Sequence, residues 1–141
     1  MTAMANKPAA RQQPESLRLR SIMPSFTVND IDRSTRWYCE GLGFYLAERW
    51  EEGGKLQGVM LKAGACELGL SQDDFSRGRD RPKGAGFRIW CETTQDIDAI
   101  AKRLRDLGGT ITEEPGNRHE SYSFTAQDPD GFKLTIIRAK G

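Results

Sequence analysis

FTVNDIDRSTRWYCEGLGF, residues 26–44, is the stretch that decides the fold. Phe26 and Val28 alternate with Thr27, the period of two that marks a strand with one buried side. The alternation reaches back to Ile22 and Pro24, set against Met23 and Ser25. Asn29-Asp30 then supplies a side-chain acceptor for a helix N-terminus. Ile31, Ser34, Trp37 and Tyr38 fall at helical spacing, so the helix is read over Ile31 to Glu40 and stops at Gly41 and Gly43.

Downstream the reading continues with a strand from Phe44 to Trp50, a Glu-Glu-Gly-Gly turn at 51–54, a strand from Gly58 to Lys62, a turn at Gly64 and a strand from Cys66 to Ser71. The order is β-α-β-β-β. Residues 72–86, QDDFSRGRDRPKGAG, show no period and carry much charge, as a connecting loop does. The pattern then recurs. Phe87 to Thr93 reads as a strand, Asp96 to Leu107 as a helix stopped by Gly108-Gly109, and Thr110 to Glu113, Ser121 to Ala126 and Phe132 to Arg138 as strands. The last two are joined by the turn Asp128-Pro129-Asp130-Gly131.

Ile97 lies 66 residues after Ile31, and Gly109 lies 66 after Gly43. One offset at both ends of a helix indicates a duplicated module. The expected fold is α+β: two tandem βαβββ modules forming a cupped, mostly antiparallel eight-stranded sheet around a cleft. Residues 1–17, rich in Ala, Pro, Gln and charge, are expected to form a disordered tail. A single domain over 18–141 follows, with module one at 18–72, a linker at 73–86 and module two at 87–141.

The bulk composition narrows the partners. The 141 residues are 37% hydrophobic and 29% charged, a globular balance. Lys plus Arg number 21 against 20 Asp plus Glu, so no excess of charge draws the chain to nucleic acid or an anionic membrane. No apolar run approaches the about 20 residues that span a bilayer. The opening MTAMANKPAARQQPESLRLR has no continuous apolar segment of the kind a secretory leader carries. Cys39, Cys66 and Cys91 are odd in number and lie inside periodic segments, as reduced thiols do. The expectation is a cytoplasmic protein.

Taken together, Phe26-Thr27-Val28-Asn29-Asp30-Ile31, Ser34, Trp37-Tyr38 and Gly41-Leu42-Gly43-Phe44, followed by Asp96-Ile97-Asp98, Gly108-Gly109 and Asp128-Pro129-Asp130-Gly131-Phe132, resemble the vicinal oxygen chelate superfamily. That group includes glyoxalase I, bleomycin-resistance and fosfomycin-resistance proteins, and extradiol dioxygenases. The likeness covers about residues 18–138. It implies a homodimer, because such proteins commonly complete or cover their clefts with a second subunit.

Metal-dependent members of that superfamily place four ligands, His or Gln, Glu, His and Glu, on the cleft side of four strands. By strand period the matching residues here are Met23, Glu67, Arg88 and Thr135. Around residues 87–94 the register allows Phe87 in place of Arg88. A thioether, one carboxylate and a guanidinium do not make a site for a divalent ion, and a fixed positive charge repels one. No metal and no cofactor are therefore expected. Glu67 and Arg88 are instead expected to point into one cavity, from neighbouring modules or across a dimer. There they either recognise a polar group of a ligand or fill a vacated metal hole.

Met23, Ser25, Glu67, Arg88, Trp90 and Thr135 are thus the candidate ligand-binding residues, with Glu67 also a candidate for a catalytic base. Trp90 lines the cleft in this reading, and Trp50 either joins it or packs at a seam. His119, the sole histidine, is a general base or a solvated loop residue. Arg77, Arg79, Arg81 and Lys83 belong to a solvated loop or a mobile flap. Three functions remain open: metal-independent sequestration of an aromatic or polar compound, a lyase, isomerase or dioxygenase activity, and a non-catalytic accessory role.

Overall fold

In the computed structural model, residues 16–140 are described. The expected tail over 1–17 therefore lies outside the described residues except for Ser16 and Leu17. The chain runs β1 (Ser25–Val28), α1 (Ile31–Arg36), a π-helical turn (Trp37–Leu42), β2 (Tyr45–Glu52), β3 (Lys55–Ala63), β4 (Cys66–Gln72), β5 (Arg88–Thr93), α2 (Ile97–Asp106), β6 (Thr110–Arg118), β7 (Ser121–Gln127) and β8 (Lys133–Arg138). The eight strands divide into two four-stranded sheets of matching order, β1-β4-β3-β2 and β5-β8-β7-β6. Each sheet has one parallel pair, β1 with β4 and β5 with β8, and its other pairings are antiparallel. This is the duplicated βαβββ architecture.

The helices start where the capping residues dictate. Asp30 accepts a hydrogen bond from the Arg33 amide at 3.1 Å, and Asp96 accepts from the amides of Asp98 and Ala99. They end differently. The first helix passes into a π-helical turn before Gly43 closes it at φ +90°, whereas Gly108 at φ +81° follows α2 directly. Twelve residues therefore separate Ile31 from its left-handed glycine and eleven separate Ile97 from its own. A π turn takes up one extra residue, which accounts for the difference.

The core lies between the sheets and the helices. Phe26, Val28, Val59, Leu61, Leu68 and Leu70 bury one side of the first sheet, and Phe124, Ala126, Leu134 and Ile136 one side of the second. The modules are locked at this layer. Phe26 stacks on Phe132 with centroids 4.3 Å apart and planes 8° from parallel, and Phe87 meets both rings edge-on. Gly41 packs closely on α2, since a Cβ there would stand 2.7 Å from Leu104 Cδ1 and would force that side chain to shift.

Several sequence expectations are revised. β1 begins at Ser25, and Ile22, expected on its buried side, is 74% exposed. Pro24 lacks the amide that would extend the ladder. Cys66, which strand period would place with Leu68 and Leu70 on the packed side, is exposed at the start of β4. β6 runs on to Arg118, past the expected end at Glu113, and tolerates Pro115 because it is an edge strand.

Candidate functional site

Each sheet has a second face turned away from the helices, and strand period decides what stands on it. On the first sheet the registers Met60↔Gly69, Lys62↔Glu67, Ser25↔Gly69 and Trp50↔Gly58 place Ser25, Glu67, Gly69, Met60, Lys62 and Trp50 on that face. Met23 reaches the same place, because a Cβ on Gly69 would lie 3.4 Å from Met23 Cε and 3.5 Å from Ser25 Oγ. Glu67 faces Lys62 across the ladder, carboxylate to ammonium 3.8 Å. Trp50 lies over Gly58 and is 52% exposed.

On the second sheet Arg88↔Lys133, Trp90↔Thr135, Thr125↔Thr135 and Glu113↔Thr125 define the corresponding face. A polar chain crosses it. The Thr125 and Thr135 hydroxyls lie 2.8 Å apart, Thr125 Oγ1 donates to Glu113 Oε1 at 2.5 Å, and Arg88 Nη1 stands 3.8 Å from the same carboxylate oxygen. The Thr125 hydrogen bond, followed by burial acting in opposition and the nearby Arg88, leaves the Glu113 carboxyl below its ordinary value. Arg88 also lies over the Trp90 ring at 5.7 Å, and that ring is 60% exposed.

The six candidate residues thus fall into two groups. Met23, Ser25 and Glu67 share one sheet face, and Arg88, Trp90 and Thr135 share the other. The expected pairing of Glu67 with Arg88 is not made within the chain, where each takes a partner on its own sheet. Thr135 is on the expected face but only 3% exposed, so it supports the face from beneath and offers no open hydroxyl. His119 occupies the tight turn between β6 and β7 at φ +49°, beside Glu120 at φ +65°.

Glu113, Thr125 and Lys133 escaped the sequence reading. Lys133 and Thr135 share a strand phase, so the period that found one also marks the other. Glu113 was hidden by the early end assigned to its strand, and Thr125 by attention to the apolar side of β7.

The donor set does not fit a metal. The four residues that strand period marked as ligand positions, Met23, Glu67, Arg88 and Thr135, are a thioether, a carboxylate facing a lysine, a guanidinium and a buried hydroxyl already bonded to Thr125. Among the described residues no three His, Cys, Asp or Glu side chains are grouped to hold an ion.

The 72–86 segment is a strap fixed at both ends. Asp73 binds Arg81 at 3.1 Å and Lys83 at 2.9 Å, and Lys83 also donates to Asn29 Oδ1 at 2.6 Å with its side chain almost wholly buried. Gly84 donates its amide to the Asp130 carbonyl and crosses the 128–131 turn so closely that a Cβ would sit 2.1 Å from the Gly131 carbonyl carbon. A cavity of about 500 Å³ opens beside the strap, against Arg88, Lys133 and Gln127. Another, of about 530 Å³, lies on the helix side among Arg33, Arg36, Trp37, Leu104 and Pro129. No helix among the described residues is long and apolar enough to cross a membrane.

Comparison with known proteins gives the same architecture. A family model described as the Glyoxalase/Bleomycin resistance protein/Dioxygenase superfamily matches residues 18–136. A probable lactoylglutathione lyase from Synechocystis is 28% identical over 79% of this chain and 88% of its own length. The glutathione transferase FosA of Serratia marcescens is 30% identical over 79% of this chain and 75% of its own. Among solved structures, TnmS3, an antibiotic binding protein from Streptomyces, superposes with a TM-score of 0.67 at 21% identity, covering 89% of this chain and 99% of that one.

Proposed function

The chain belongs to the glyoxalase/bleomycin resistance protein/dioxygenase superfamily, and from that premise we propose that it is a small-molecule-binding protein that works without a resident metal. The observation that carries this reading is the chemistry of the four ligand positions, Met23, Glu67, Arg88 and Thr135. What those positions do offer suits an organic ligand. Trp90 gives an exposed aromatic plane, Arg88 a forked donor beside it, and Met23 an adaptable apolar contact. Sequestration of an aromatic or polar compound is the function these residues support, and TnmS3, which shares the fold, is described as an antibiotic binding protein.

Two features support a homodimer. Trp50 and Tyr45 on the open face of the first sheet and Trp90 on that of the second are each more than half exposed, more aromatic surface than a monomer leaves uncovered without use. The two groups of candidate residues also stand on separate sheets, so a second subunit can bring Met23, Ser25 and Glu67 opposite Arg88 and Trp90. A reducing cytoplasm is the compartment that suits three free thiols.

Metal analysis of the purified protein, followed by a thermal-shift screen of small aromatic compounds, tests the proposal. Less than a tenth of an equivalent of any divalent ion is expected, together with at least one compound that raises the melting temperature. A stoichiometric ion lost on substitution of Glu67 overturns it in favour of the lyase, isomerase or dioxygenase activities, with Glu67 as ligand or base.

A further inference from the structure

Arg88 and Lys133 are directly paired in register on adjacent parallel strands, so two cations sit side by side on one sheet face. Like charges placed this way repel unless something negative lies between or beside them. Glu113, 3.8 Å from Arg88 and accepting the Thr125 hydroxyl at 2.5 Å, is the carboxylate that faces them, and it offsets one of the two positive charges. Lys133 makes no ion pair among the described residues. Both residues line the cavity of about 500 Å³ beside the strap.

The rest of that cavity is built in the same sense. The strap crosses it as Lys83-Gly84-Ala85-Gly86, with Gly86 at φ +74°. Among the described residues, the amides of Ala85 and Gly86 donate to no protein acceptor, although the neighbouring Gly84 and Phe87 amides are both bonded. Successive free N–H groups in a glycine-containing turn form a concave donor surface suited to an oxyanion. Two carboxylates lie nearby, and one of them, Asp130, lines the cavity itself. Asp130 receives the Asn29 amide on one oxygen and the Ser34 hydroxyl on the other, and Asp73 neutralises Lys83.

We infer that this cavity is an oxyanion subsite, in which Arg88, Lys133 and the free amides of Ala85 and Gly86 hold the carboxylate or phosphoryl oxygens of a ligand whose planar body lies along Trp90. This rests on the small-molecule-binding reading above and names the chemical class of the ligand. The strap is pinned at Asp73 and at Gly84, so the subsite is formed before the ligand arrives.

The test uses the full chain and three probes at constant ionic strength: benzoate, benzamide and inorganic phosphate. Tryptophan fluorescence and melting temperature are both read. Benzoate and phosphate are expected to give saturable responses, and the benzoate fluorescence response should vanish in Trp90→Phe. Lys133→Met should weaken benzoate by about tenfold or more, the loss of one charge-assisted contact, while Lys133→Arg stays within about threefold of wild type. Circular dichroism confirms that each variant is folded, and Lys133→Gln substitutes should the methionine variant fail. Equal benzoate affinity in wild type, Lys133→Met and Arg88→Met overturns the subsite. Benzamide binding that depends on Trp90, with no response to either anion, also overturns it but leaves the broader reading standing. Silence of Trp90 to all three probes counts against both.

Discussion

Tyr38 Oη donates to Asp128 Oδ2 at 2.7 Å, a hydrogen bond between residues 90 positions apart in sequence and buried at the junction of the two modules. The other Asp128 oxygen accepts the amides of Asp130 and Phe132, so one carboxylate shapes the 128–131 turn and ties it to the first helix. Burial, followed by the neighbouring carboxylate, pushes the Tyr38 hydroxyl well above its ordinary range. Burial also pushes the Asp128 carboxyl up, against the hydrogen bonds that favour its charged form. Removing the hydroxyl in Tyr38→Phe strands a buried acceptor. The expected cost is about 1–3 kcal/mol in urea unfolding, with secondary structure unchanged. A variant as stable as wild type would show that the junction does not depend on this hydrogen bond.

Gly84→Ala is expected to be among the most damaging single-methyl additions in the chain. The new carbon would meet backbone at Gly131 within 2.1 Å, and backbone cannot rotate aside as a side chain can. Destabilisation of at least about 2 kcal/mol is expected, with a lowered melting temperature. Alanine at Gly53, which has open space around it but lies at φ +59°, is the control for backbone strain without collision.

Asp73 gives the strap an acid limit. The hydrogen bond from Lys83, then that from the Phe75 amide, hold its carboxyl at about 2 against an ordinary 3.8. A carboxyl lowered in the folded state stabilises the fold above its unfolded value and stops doing so as pH falls through the folded one. The stability gap between wild type and Asp73→Asn should therefore be widest above about pH 4 and shrink towards pH 2. A gap of the same size at pH 6 and pH 2 would mean that the Asp73 charge is irrelevant to the strap.

The cysteines differ enough in environment to be told apart chemically. Burial raises the Cys91 thiol to about 11 and, to a smaller degree, raises that of half-buried Cys39, whereas Cys66 is exposed. The thiolate is the reactive form, so brief alkylation of the folded protein at pH 8 should label Cys66 first and Cys91 last. Mass spectrometry of tryptic peptides reads the order. Early labelling at Cys91 would mean that β5 opens readily.

Much of this was legible in the residues themselves. The 66-residue offset between Ile31 and Ile97 marked two helix starts, the first with its cap expected at Asn29-Asp30 and the second capped by Asp96, which the sequence pattern counts as helical. Strand period put Arg88 and Trp90 on the face opposite the core. Period does not give height, which is why Thr135 was on the right face but buried. The matching offset between Gly43 and Gly109 was misleading in detail. The left-handed partner of Gly43 is Gly108, because the π turn adds a residue to the first helix, and nothing in WYCEGL announces that turn. The roles of Asp128 and Asp130 were equally hidden. A DPDG sequence specifies a turn, whereas the groups that satisfy these carboxylates come from Asn29, Ser34 and Tyr38, about a hundred positions away.

The crossing of Gly84 over Gly131 also sets where this protein can vary. Length added between residues 74 and 80 bulges into solvent, while length added at Gly84 must pass through a gap that does not admit one methyl group. Diversification of ligand preference in such a scaffold would then come from side-chain exchange around Lys133 and Trp90, with loop growth confined to the outer arc of the strap.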